Sequence, residues 1–97
     1  MSVANPKRAG QLAAILAAMP GNDLVTQRQR MLTAMQKLGS VTTFEGSRFL
    51  DCYDPRARIH ELRKTGTSIK TVMRAEQTES GVMHRVGVYL LDGAAHG

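Results

Sequence analysis

At Gly66 the sequence changes its period. Before it, apolar residues recur at spacings of three and four; after it, β-branched segments run from Ile69 to Gln77 and from Val82 to Leu91. A helix buries a stripe at a period of about 3.6 and a strand buries one face at a period of about 2, so a chain with both patterns in succession lays helices on a sheet. The fold class that follows is α+β, helices first and a hairpin last. The hairpin turn is read at Glu79-Ser80-Gly81. If Ser80 and Gly81 form the turn, Met73 stands opposite Val88, Ala75 opposite Val86 and Thr71 opposite Leu90, an apolar surface for the helices. The other face then pairs Glu76 with Arg85.

Punctuating residues divide the helical part. Asn5 caps and Pro6 opens a first helix whose stripe is Leu12, Ile15, Leu16 and Met19, ending before Pro20-Gly21. Lys7 and Arg8 ahead of the apolar run Leu12 to Met19 give it the outline of a secretory leader, but the run has eight residues, four of them Ala, and cannot span a membrane. Gly21-Asn22-Asp23 reads as a linker, and Thr26 caps a helix from Gln27 to Leu38 that Gly39 stops. Its buried side is Met31, Leu32, Met35 and Leu38, with Arg28, Arg30, Gln36 and Lys37 toward water. After an extended link at Ser40-Val41, Thr42 and Glu45 have capping-box spacing and start a short helix reaching Leu50, with Phe44, Phe49 and Leu50 as its apolar contacts. Asp54 can accept a backbone N–H and Pro55 suits a first helical turn, so a further helix runs to Lys64 and stops at Thr65-Gly66. Only Asp51-Cys52-Tyr53 separates the last two helices, and helix, tight turn, helix is the geometry that presents one helix to a DNA groove.

Charge narrows the partner. Thirteen Lys and Arg against eight Asp and Glu leave +5 and a pI near 10.0, the sign expected for a partner carrying phosphates. Around the last helix, Ile59 and Leu62 lie on one side while Arg56, His60, Arg63 and Lys64 form a basic stripe on another. A solvated surface helix would look the same, but Lys70, Arg74, His84 and Arg85 extend the charge onto the hairpin. From Asp54 to Arg74 there are six basic and two acidic residues. Arg56 and His60 are placed to reach base edges, Arg63 and Lys64 to meet flanking phosphates, and the hairpin tip to lie on the backbone or in the minor groove.

Other chemistry finds little support. Ninety-seven residues exclude a large enzyme, and the one cysteine closes no intrachain disulfide, which fits a reducing compartment such as the cytoplasm. Cys52, His60 and His84 lack the short ligand spacing of a zinc site, Ser47 with His60 lacks a third orienting group, and no cofactor or small-molecule ligand is implied.

The span from Thr26-Gln27-Arg28-Gln29-Arg30 through Gly39-Ser40-Val41-Thr42-Thr43 to Ala57–Gly66, then Ile69-Lys70-Thr71 and His84-Arg85-Val86, resembles the small winged helix-turn-helix DNA-binding domain family of bacteria, prophages and mobile elements. Arg58 to Gly66 is the most specific piece. The resemblance implies a three-helix core plus a C-terminal β-hairpin wing over residues 23–92; the extra N-terminal amphipathic helix and linker over 1–22 lie outside it, and the composition of residues 93–97 reads as a flexible tail. It implies a recognition helix at 55–65, a wing tip at 77–84, and DNA contacts from Thr43, Arg56, His60, Arg63, Lys64, Lys70, Arg74, His84 and Arg85. Arg58 and Glu61 can instead pair with each other at i, i+3. Gly46 falls where a small residue lets the two helices cross closely.

The function expected is a sequence-specific double-stranded DNA-binding regulator of phage or mobile-element type. Alternatives are a protein-interaction module and an architectural or excision-directing factor that bends DNA. One reading helix discriminates few base pairs, so a homodimer is expected. Either the Leu12, Ile15, Leu16, Met19 stripe or a sheet face of Val72, Tyr89 and Leu91 would join the copies. The helix is favoured, against a nearly equal reading in which it folds over its own core.

Overall fold

The computed structural model describes residues 5–92, so the tail expected at 93–97 lies outside the described residues. The elements are α1 (Pro6–Ala18), α2 (Leu24–Leu38), β1 (Val41–Thr42), α3 (Thr43–Arg48), α4 (Pro55–Lys64), β2 (Ile69–Gln77) and β3 (Met83–Leu91). The class is α+β, with α1 preceding a helix-turn-helix and a hairpin. The sheet is antiparallel with the order β1-β3-β2.

Local signals place most boundaries. Asn5 Oδ1 accepts the Arg8 N–H at 3.2 Å with Pro6 in the first turn, and Asp54 Oδ1 accepts the Ala57 N–H at 3.3 Å ahead of Pro55. Thr42 and Glu45 form the capping box in both directions, at 2.9 and 3.0 Å. Gly39 ends α2 at φ 88°, a conformation in which a Cβ is costly.

Four expectations are corrected. The α1 stripe, favoured as a joining surface, turns inward: Leu12 and Ile15 are buried in the chain's own core and Met19 packs on it, with Leu16 half-buried, because one face of a short domain must be closed by its nearest apolar neighbour. The second helix begins at Leu24, not Gln27, since Asp23 occupies the cap position and its carboxylate takes the Thr26 hydroxyl at 2.5 Å. On that helix Arg30 is buried beside Met31, Ala34 and Met35, while Leu32 and Leu38 sit at the core's margin. The link at Val41 is a strand, with Val41 opposite Tyr89 and Thr42 opposite Val88.

The fourth correction concerns register. Met73 stands opposite Gly87, Ala75 opposite Arg85, Thr71 opposite Tyr89 and Glu76 opposite His84. The cause is the turn: the Gly81 N–H donates to Thr78 O and the Thr78 N–H to Val82 O, so the loop holds Glu79, Ser80 and Gly81, with Gly81 at φ 88°. A three-residue loop with a left-handed last position shifts the pairing by one from a two-residue loop. Tyr89 and Leu91 therefore share a face with Ile69 and Thr71, and Val72 shares the reverse with Val86, Val88 and Leu90. The proposed joining face of Val72, Tyr89 and Leu91 does not exist as one surface.

Where α3 crosses its neighbours the space is minimal: a Cβ on Gly46 would lie 2.8 Å from Met31 Sδ and 3.2 Å from Pro55 Cγ. Close approach at this glycine sets the angle at which α4 leaves the core.

Arg8 clamps α1 onto the same unit. Its Nε and Nη2 donate to the Glu45 carboxylate at 2.6 and 3.0 Å, and Nη2 also to Ser40 O at 2.8 Å. Burial pushes Glu45 up, but the Arg8 guanidinium and the Thr42 N–H outweigh it and hold the carboxyl below its ordinary 4.5. A depressed folded value gives stability that is present above 4.5 and lost as the pH falls through the folded value. Arg8→Leu is therefore expected to cost about 1–2 kcal/mol at neutral pH. In denaturation at a series of pH values, its gap from wild type should close in acid. A gap constant with pH would mean the clamp works by packing alone.

Candidate nucleic-acid interface

The helix-turn-helix comprises α3, α4 and the segment between them. Leu50 and Cys52 are buried, the Cys52 N–H donates to Gly46 O at 2.9 Å, and Asp51 takes a left-handed φ of 49°. With Cys52 turned inward, Tyr53 projects outward and is 95% exposed at the foot of α4. Burial pushes the Cys52 thiol up to about 11, which leaves it protonated and unreactive.

The faces of α4 are sorted by what they touch. Ile59 and Leu62 are in the core. Arg58 is also buried, donating to Glu61 through Nε and Nη2, both at 2.8 Å, and Arg28 of α2 donates to the same carboxylate at 2.9 Å. Arg58 and Glu61 are thus a structural pair that bolts α4 to α2, and Arg28 does not simply face water. The two guanidinium groups hold Glu61 below the usual carboxylate range. On the free face stand Arg56, His60 and Lys64, all exposed, and no carboxylate among the described residues pairs with any of them. Arg63 is exposed too, but its guanidinium donates to Ile69 O at 2.9 and 3.1 Å and to Thr71 Oγ1 at 2.9 Å. It pins the start of β2 to α4.

The hairpin divides the remaining candidates. Arg85 shares the face of Thr71, Met73, Gly87 and Tyr89, which turns toward α4. Lys70, Arg74 and His84 stand on the reverse, His84 bordering the cleft at its outer end. Arg74 is engaged by Glu76 at 2.7 Å. Between hairpin and α4 lies an open cleft of about 570 Å³, walled by Arg56, Ile59 and Arg63 on one side and Thr71, Met73 and Arg85 on the other. Thr43 and Phe44 close its base, and the Thr43 hydroxyl is bound by Tyr89 Oη at 3.2 Å and Gly87 O at 3.4 Å, so it holds α3 to β3.

Two residues enter that the sequence reading passed over. Tyr53 is one; its position just ahead of the helix cap was the available signal. Arg48 is the other: its guanidinium lies 5.8 Å from the Phe44 ring and 5.4 Å from the Phe49 ring, and it pairs with Glu79 at the wing tip. Nothing in the sequence marks a pair formed across the fold. No group of three or more His, Cys, Asp and Glu among the described residues could hold a metal ion, and no described helix is long and apolar enough to cross a membrane.

A family model described as a winged helix-turn-helix domain matches residues 26–93. The chain belongs to that family. No curated protein and no solved structure matched it. In this winged helix-turn-helix domain α2, α3 and α4 are the helical core, β2 and β3 the wing, and α1 precedes the matched region except that its apolar side completes the core. Membership suggests DNA binding.

Proposed function

We propose that this winged helix-turn-helix protein binds double-stranded DNA sequence-specifically and acts as a transcriptional regulator, with α4 in the major groove and the wing on the adjoining backbone or minor groove. The observation that carries the reading is the outer face of α4, where Arg56, His60 and Lys64 stand exposed with no acid among the described residues paired to them, beside a wing bearing Lys70 and Arg85. Such groups keep their donors for bases and phosphates. Arg56 and His60, near the helix start, address base edges; Lys64 addresses the backbone, and the Tyr53 hydroxyl a phosphate at the groove's entrance.

Selection of binding sites from random duplex DNA tests this directly. An enriched sequence is expected, with the binding constant falling with salt at a log-log slope of about −3 to −4 per protomer for the four free Lys and Arg of α4 and wing. No enriched sequence, or binding indifferent to salt, overturns the proposal.

The exposed Val82 and Met83 beside the wing tip favour a second reading in which the protein bends DNA by inserting apolar side chains into the minor groove. A bending assay on the selected site separates the two.

A further inference from the structure

Glu79 stands at the tip of the wing, an acid on the part of the hairpin proposed to lie on DNA. It is held by Arg48, the last residue of α3. Arg48 Nη2 donates to Glu79 Oε2 at 3.1 Å, and Nη1 pairs with Oε1. The same guanidinium lies over the Phe44 and Phe49 rings. Phe44 and Thr78 both line the cleft walled by Arg56 and Arg85, so the pair sits at the tip end of that cleft.

Two observations decide what such a pair can do. Its carboxylate is the most exposed in any ion pair among the described residues, 61% against 29% or less for the others, and Arg48 is exposed too. A pair in water contributes little and is screened by salt, so this one is readily exchanged. The aromatic rings, by contrast, hold the guanidinium independently of Glu79. A fork placed in this way fits a phosphate as it fits a carboxylate.

The backbone around Glu79 does not depend on the pair. Thr78 donates to Val82 O through its N–H at 3.0 Å and its hydroxyl at 3.3 Å, the Gly81 N–H to Thr78 O at 2.9 Å, and Gln77 Nε2 to Gly81 O at 2.9 Å. The loop keeps these bonds when the carboxylate leaves Arg48.

We infer that Arg48 is a further phosphate-contacting residue of the DNA face, and that Glu79 occupies the phosphate's position in the free protein. On binding, a backbone phosphate takes the Arg48 fork and the Glu79 carboxylate turns to water. This rests on the DNA-binding reading, which puts the wing tip on the backbone and, in a helix-turn-helix, the first helix across it. The dense charge of a duplex drives the exchange, because it repels Glu79 as it attracts Arg48. Glu79 is a competitor built into the wing, and it lowers affinity for DNA of every sequence.

The test is titration of the full chain with a labelled mixed-sequence duplex, by fluorescence anisotropy, over a range of salt. In wild type one ion pair replaces another, which adds little to the salt slope. In Glu79→Gln the phosphate meets Arg48 as a free cation. That variant is expected to bind about three- to tenfold tighter, with a log-log slope more negative by about 1. In an Arg48→Ala background the same change should leave the slope where it was. Thermal denaturation should be alike for wild type and Glu79→Gln, since the altered side chain is exposed and the loop is braced by its own bonds. Weaker binding by Glu79→Gln would mean that the pair positions the wing, and overturns the inference. An unchanged slope, or equal steepening without Arg48, overturns it as well. A wild type that binds no duplex at any salt sinks the DNA-binding reading and this inference with it; a wild type that binds while Glu79→Gln changes nothing sinks this inference alone.

Discussion

Replacing Arg30 with methionine is expected to lower stability by about 3–5 kcal/mol, a large part of the 5–15 kcal/mol typical of a whole domain. Arg30 is 1% exposed, and its side chain forms no ion pair with a carboxylate among the described residues. Instead Nε donates to Met19 O at 2.9 Å, Nη1 to Leu50 O at 3.2 Å, and Nη2 to Gly21 O. Those carbonyls come from the end of α1, the linker that follows it, and the turn of the helix-turn-helix. A planar fork with donors on several sides can satisfy all three at once, and an ammonium cannot. Methionine matches much of the volume but leaves the carbonyls without partners in a dry site, each costing about 1–3 kcal/mol before relaxation. Lysine keeps the charge and is expected to rescue little. Urea denaturation followed by circular dichroism measures both. A loss under about 1 kcal/mol for Arg30→Met would show that water reaches these carbonyls and that the fork is not what joins the three segments.

The second large effect is expected on DNA. Replacing Arg56, His60 and Lys64 together by alanine should abolish discrimination between the selected site and random duplex while leaving the fold intact. All three are exposed and pair with no acid among the described residues, so their removal leaves the packing of α4 in place. A base-edge contact contributes about 1–3 kcal/mol of discrimination, so the loss of two, from Arg56 and His60, amounts to roughly a thousandfold, while loss of the Lys64 phosphate contact weakens binding to every sequence. Arg56→Ala alone should relax sequence preference, whereas Lys70→Ala should weaken all sequences alike. Unchanged specificity in the triple variant would mean that another surface reads DNA. Arg63→Ala offers a contrast: it is expected to loosen the start of β2, and so to lower stability more than the other α4 substitutions.

Much of the architecture is legible in short-range chemistry. Asp54-Pro55 begins α4 because a side-chain acceptor and a fixed φ act within one turn, and Thr42 with Glu45 begins α3 for the same reason. Gly46 is readable as a crossing point because it lies in the short α3, whose partner α4 follows it closely in sequence. The basic face of α4 is likewise a matter of angle along a single helix.

The hairpin shows where such reading stops. Alternation alone suits either of two registers, and the choice rests on whether the loop holds two residues or three, a backbone detail set by Thr78 and Gly81. The roles of arginines were hardest to read. Arg28, Arg30, Arg58 and Arg63 look alike in sequence, yet each ends on an acceptor that the fold brings to it, from Glu61 to bare backbone carbonyls.

Sequence by itself determined the order of the helices and the hairpin, the N-caps of α1, α3 and α4, and the face of α4 that carries charge, since propensity, capping and periodicity act between residues a few positions apart. Tertiary structure alone decided that α1 closes the core, that Arg63 and Thr43 hold the wing and helices together, and that β3 lies between β1 and β2. These depend on contacts between segments far apart in the chain, where long flexible side chains take whichever acceptor the packed backbone places within reach.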